Sequence, residues 1–198
     1  MESDDEFRIT LLQNGIHSLE RGFESVDRYL REEDEFLLKE AILFIHHGIE
    51  LLLKQLLAKE SRFLIFSDLR NVVKRQREAN QKGTDIFSLE DPPHTISYPE
   101  AIDRVDAFLD IPEFVHHLQR DLRELNRLRN QLEHYAIRTD KVGTVRLLSK
   151  IRAPLIELFE AQIPDFRGQA EALIDRLEEF EAVAKYILKE ASKGGSDD

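Results

Sequence analysis

The stretch that most restricts the fold is Phe36 to Lys59, the most hydrophobic segment of the chain. Its apolar residues Ile42, Ile45, Ile49, Leu52, Leu53, Leu56 and Leu57 recur at steps of three and four, the period of an α-helix. A helix this apolar has to be covered by neighbours, so it is expected at the centre of the fold. The neighbours are also helical by the same criterion. Leu12, Ile16, Leu19, Phe23, Val26 and Leu30 place an amphipathic helix over Phe7 to Leu30, where Gly15 and Gly22 either weaken the helix or let a neighbour approach closely. The acidic link Glu32-Glu33-Asp34-Glu35 suits a helix start, because carboxylates oppose the positive end of the helix dipole.

Beyond residue 60 the pattern stays helical. Residues 61–67 form a short apolar connector, and Asp68 is placed to cap a basic helix running to about Gln81. Gly83 to Pro99, with Pro92-Pro93, is the one long irregular stretch, and loops of that length in compact domains are often functional. A short helix from Tyr98 to Leu109 follows, and Pro112 suits the first position of a long one. Gly143 to about Ile163 reads as an amphipathic helix interrupted or bent at Pro154, and Asp165 to Ser192 as the last. No stretch alternates convincingly enough to be a strand. The expectation is an all-α antiparallel helical bundle over residues 5–140. A helical extension over 141–193 packs on the same domain, and 194–198 form a loose tail.

Composition removes several classes of function. The chain has no cysteine, which excludes disulfide scaffolds, thiolate metal sites and thiol nucleophiles. Its start carries no basic and apolar export signal, and no apolar run approaches a membrane span, so a soluble cytoplasmic protein is expected. A net charge of −11 argues against general nucleic-acid binding. The charge is uneven, however. Acids dominate residues 1–40 and 153–198, while bases dominate 113–152, and Arg70, Lys74, Arg75, Arg77 and Lys82 make a second basic patch. Such a distribution allows a local anion site on an acidic protein, although solvated helix faces account for it equally well.

The candidate chemistry centres on the run from Leu118 to Ala136. On a helix at about 100° per residue its apolar face is Leu118, Leu122, Leu125, Leu128, Leu132 and Tyr135, and Arg129 falls within that face. A guanidinium always carries its charge and is costly to desolvate unpaired, so a helix needing only a core would place leucine there. Opposite runs a polar seam of His116, Arg120, Arg123, Arg127, Asn130 and His134. Two readings compete. In the plainer one this is an exposed face with ion pairs to Glu124 and others, and Arg129 pairs with Glu133 one turn on. In the other, the seam is an anion or phosphate track leading to Arg129 and His134.

Other candidates are weaker. His46 and Glu50 stand four apart on one helix face, as metal ligands do, but no matched set of further ligands lies nearby, and bundle contacts explain them better. Glu113-Phe114-Val115-His116 matches half of a di-iron bundle motif and lacks the second copy such a site needs. No phosphate-binding glycine loop, nucleophile elbow or zinc-protease pattern occurs, so no metal or cofactor is expected.

Arg129-Asn130-x3-His134 resembles the Arg-x4–6-His motif of the HEPN superfamily, all-α bundles common among prokaryotic toxins and RNA-processing proteins. Gly48-Ile49-Glu50-Leu51-Leu52-Leu53-Lys54 is similar to that family's early helix, with its Glu-Leu-x-x-Lys signature. His94-Thr95-Ile96 fits the loop between these elements, so the resemblance covers roughly residues 5–140. It implies a metal-independent endoribonuclease acting as a homodimer whose two motifs meet at one cleft, with RNA as substrate and an antitoxin or other protein as a possible partner. His134 would then be the general acid or base, Arg129 the cation stabilising the phosphorane, and Asn130 an orienting group. Arg120, Arg123, Arg127 and Tyr135 would supply binding contacts. The alternative within the same resemblance is a catalytically silent interaction or nucleotide-binding module. The chain departs from members that carry tyrosine two residues after the histidine, since Ala136 stands there. On a straight helix Arg129 and His134 diverge by about 140°. Either the helix distorts, or a two-fold dimer combines groups from two copies.

Overall fold

A computed structural model describes residue 7 and residues 9–134 and 139–175, and over these the protein is an all-α helical bundle. Its helices are α1 (Leu11–Glu32), α2 (Glu35–Glu60), α3 (Leu69–Lys82), α4 (Tyr98–Phe108), α5 (His116–His134), α6 (Lys141–Gln162) and α7 (Phe166–Gln169). Short 3₁₀ turns at Arg62–Ile65 and Ile86–Ser88 flank α3. The only strand-like feature among the described residues is an isolated antiparallel bridge between Phe66 and Thr95. No helix among them is long and apolar enough to cross a membrane.

The chain divides into two compact units, residues 1–52 with 112–198, and residues 53–111. In the first, α1 and α2 pack unusually close, because glycines remove the side chains between them. A Cβ on Gly48 would lie 2.8 Å from the Gly15 carbonyl oxygen, and one on Gly22 would lie 2.8 Å from the Ile45 nitrogen. Phe23, Ile42, Ile45, Ile49, Leu122, Leu125, Leu148, Ile151 and Phe159 are buried in this unit. α5 packs along α6, and Lys141 at the start of α6 reaches Glu35 at 2.6 Å.

In the second unit, the last part of α2 contributes Leu53, Leu56 and Leu57 to a core with Phe66, Val72, Ile96, Ile102 and Val105. The irregular stretch after Gly83 is stitched to the connector ahead of α3. Ile96 N–H donates to Ile65 O at 2.9 Å, and Ser67 N–H donates to His94 O at 3.0 Å. Arg104 of α4 donates to the carbonyls of Leu64 and Phe66 at 2.6 and 3.0 Å. Buried Lys54 donates to Thr95 Oγ1 at 3.0 Å. Lys54 of α2 and the irregular stretch at Thr95 therefore meet through this hydrogen bond.

Three boundaries differ from the sequence reading. α1 starts at Leu11 rather than Phe7, because Thr10 and Gln13 form a reciprocal capping box, with Gln13 N–H on Thr10 Oγ1 at 3.1 Å and Thr10 N–H on Gln13 Oε1 at 3.0 Å. α5 starts at His116 rather than Pro112; residues 112–114 form a turn, whose Phe114 carbonyl accepts a hydrogen bond from the buried Gln119 amide at 3.0 Å. The last helix is not continuous from Asp165. Asp165 takes a left-handed conformation (φ 55°), α7 is a single turn, and Ala170 interrupts before residues 171–175 turn helical again. The expected remainder to Ser192 and the tail lie outside the described residues. Pro154 sits inside α6 without ending it.

Candidate functional site

The C-terminal half of α5 carries the arginine–histidine motif, and α5 remains α-helical through His134. The distortion that would bring Arg129 and His134 together is therefore absent, and helical geometry leaves them about 140° apart. His134 is exposed at the end of α5. Arg129 lies half-buried, its side chain 32% exposed, and its Nη1 approaches Glu133 Oε2 at 2.7 Å and Asn130 Oδ1 at 3.0 Å. Thus Asn130 orients Arg129, and the ion pair to Glu133 is the one-turn pair that the sequence permits.

α5 also makes a polar contact with α2, one turn before the motif. His46 is 3% exposed, and its Nε2–H donates to Asn126 Oδ1 at 3.0 Å, one turn before Arg129 and Asn130. Burial pushes the His46 pKa below the usual histidine value, because an imidazolium loses its hydration there. The Asn126 hydrogen bond and the Glu50 carboxylate oppose the shift, Arg129 reinforces it and Glu133 opposes it. The contact between α2 and α5 therefore holds the His46–Asn126 pair, with Arg129 and Glu133 near enough to act on the imidazole's charge. The buried histidine that α5 engages directly is His46, which the sequence had suggested only as half a metal pair and more plainly as a bundle contact.

The polar seam is exposed at His116, Arg120, Arg123, Arg127 and His134, and half-buried at Asn130. Two of its arginines already have carboxylates. Arg127 binds Glu124 through two bonds of 2.5 and 2.9 Å, which holds the Glu124 carboxyl below its ordinary range, and Arg120 meets Asp121 at 3.1 Å. Arg127 also lines a groove of about 380 Å³ between α5 and the start of α6, with Gln131, Thr139, Asp140 and Thr144. A second groove of about 320 Å³ involves Leu38, Ile42, Leu132 and Lys141. Neither is lined by Arg129 or His134. Tyr135, proposed from the sequence as a binding residue, lies outside the described residues.

The described residues contain no group of three or more histidines and carboxylates placed to hold a metal ion. What the arrangement can do chemically is present a fixed guanidinium on one side of a helix end and an exposed imidazole on another. The class of protein defined by these observations is an all-α helical bundle with a basic helix bearing an Arg-Asn-x3-His sequence. No protein-family model, curated protein or solved structure matches the chain.

Proposed function

We propose that the chain is a metal-independent RNA endonuclease of the HEPN type that works as a homodimer, each site combining Arg129 of one copy with His134 of the other. The reading rests on the sequence resemblance, and the observation that carries it furthest is the held Arg129 guanidinium. A cation oriented by Asn130 and half-removed from solvent suits the extra charge of a pentacoordinate phosphorane. His134, exposed at its helix end, is accessible to take the proton of a ribose 2′-hydroxyl. That oxygen then bonds to phosphorus as the P–O5′ bond breaks, and the departing 5′-oxygen takes up a proton from water. Arg120, Arg123 and Arg127 contact flanking phosphates once their carboxylate partners give way.

A specific observation favours a second reading, a catalytically silent interaction module. Glu133 already neutralises Arg129 at 2.7 Å, leaving no vacant charge for a phosphate. Incubation with mixed cellular RNA in the presence of EDTA separates the two. Wild type is expected to cleave, His134→Ala to lose cleavage by at least about a hundredfold, and Glu133→Gln to retain or gain it by freeing Arg129. Cleavage that persists in His134→Ala, or that disappears with EDTA and returns with magnesium, overturns the nuclease mechanism. An inert wild type supports the silent module.

A further inference from the structure

α3 belongs to the second unit, whereas the proposed catalytic residues belong to the first, and its outer face combines two features that a merely solvated helix does not need. Leu69 and Val73, one turn apart, are 57% and 48% exposed. Beside them Arg70, Lys74 and Arg77 are exposed as well. At about 100° per residue, Leu69 and Val73 sit about 40° apart, with Arg77, Arg70 and Lys74 following at about 80°, 100° and 140° from Leu69. An apolar stripe thus borders a basic stripe roughly 10 Å long. The opposite side of α3 is anchored by buried Val72 and Ala79, and Asp68 and Gly83 cap its ends, so the face is rigid.

The charge state of the basic stripe is the second feature. Four acids close in the chain are already engaged: Glu78 with Arg75 and Lys82, Asp91 with Arg75, Asp85 with Arg62, and Asp68 as the helix cap. Arg70, Lys74 and Arg77 make no ion pair with any described residue, although the protein carries a net charge of −11. An acidic chain that keeps three adjacent cations unneutralised beside two exposed aliphatic side chains presents a surface complementary in both charge and polarity to an acidic amphipathic helix.

We propose that this face of α3 docks an acidic amphipathic helix of a partner protein. Its aliphatic side chains lie against Leu69 and Val73, and its carboxylates lie along Arg70, Lys74 and Arg77. Nucleic acid fits less well. A phosphate backbone has nothing to place on the aliphatic pair, and α3 offers no aromatic ring on which a base could stack. The inference is independent of the nuclease reading, since it uses no residue of α5.

The test uses the full chain and a fluorescent peptide of about twenty residues with leucine at helical spacing on one face and glutamate on the rest, long enough to be helical. Anisotropy is expected to show saturable binding that weakens with salt. Arg70→Glu/Lys74→Glu/Arg77→Glu and Leu69→Ser/Val73→Ser should each lose at least tenfold in affinity while keeping the wild-type circular dichroism. A scrambled peptide of the same composition should bind at least tenfold more weakly. Several results overturn the proposal: no binding by wild type, equal binding of the scrambled peptide, or an effect of charge reversal without any effect of the aliphatic pair. So does binding of polyuridylate RNA or anionic vesicles that charge reversal on α3 abolishes. A change in the oligomeric state of the chain itself in either variant also overturns it, because it assigns the face to a second copy.

Discussion

At the scale of residues, Asn126 and buried His46 make the polar contact between α2 and α5, and Arg129 follows on the next turn of α5. Arg129 pairs with Glu133, but both side chains are about a third exposed, 32% and 36%, so water shares in solvating the pair. Exposed pairs of this kind contribute about 0–1 kcal/mol. Arg129→Leu should therefore leave the thermal midpoint within a few degrees of wild type or raise it, because leucine extends the face of Leu122, Leu125 and Leu128 while Glu133 turns to solvent. A midpoint lower by ten degrees or more in a thermal melt would instead make Arg129 a structural residue. His46 leads to a pH prediction. Its folded pKa is lowered, so protons bind more readily to the unfolded chain, and acid favours unfolding. The contribution of neutral His46 is fully present above its ordinary value of about 6.5 and is lost as pH falls from there through the lowered folded value. His46→Gln keeps an amide donor for Asn126 and removes the titration. Denaturant midpoints measured from pH 8 to pH 5 should fall less steeply for this variant than for wild type, and parallel curves would show that His46 is not the group responsible.

At the scale of elements, the α1–α2 contact depends on the absence of side chains. Gly48→Ala should destabilise the protein by about 1–3 kcal/mol, since its Cβ meets the Gly15 carbonyl and Leu19 at 2.8 Å and the backbone there cannot yield cheaply. Helix propensity acts the other way by about 1 kcal/mol. A urea titration showing Gly48→Ala as stable as wild type would mean that the helices separate without cost. This contact was half-legible in the sequence, where Gly15 and Gly22 suggested either weakness or close approach, but their partners on α2 follow only from the tertiary pairing. Apolar spacing locates α1, α2, α5 and α6, because burial of one face is a local property of each helix, and the Asp68 cap marks the start of α3. It failed where local chemistry or a distant contact sets an end. The Thr10–Gln13 capping box was readable and was overridden by Phe7, whose apolar character continues the period although the residue is 87% exposed. The start of α5 coincides with Gln119 bonding back to Phe114, and Ala170, a good helix former, carries no signal for the break that falls there. The same division holds at the site. Arg129–Glu133 is one helical turn and was foreseen as a possibility, whereas His46–Asn126 spans 80 residues and no spacing rule anticipates it.

At the scale of the whole molecule, the regularity of α5 turns the proposed function into a statement about assembly. Because α5 is helical through His134, Arg129 and His134 leave it about 140° apart, and one copy cannot easily aim both at the same phosphorus atom. Catalysis by this pair then requires two chains related by a two-fold axis, with each site taking one group from each chain. Arg129→Ala and His134→Ala should each be inactive alone, since every dimer of either variant lacks one group at both sites. When the two variants are unfolded together, refolded and allowed to associate at random, about half of the dimers contain one chain of each kind. In such a dimer one site joins two mutated positions and is dead, while the other joins an intact Arg129 to an intact His134. Half the dimers with one working site of two amounts to about a quarter of wild-type activity. Sites confined to single chains give no recovery on mixing, because every chain in the mixture still lacks one of the two groups. Recovery near a quarter, measured as RNA cleavage in EDTA, is the expected result. Two active single variants would mean that Arg129 and His134 do not form the site. Two inactive variants without recovery, beside an active wild type that light scattering finds monomeric, would rule out the shared site.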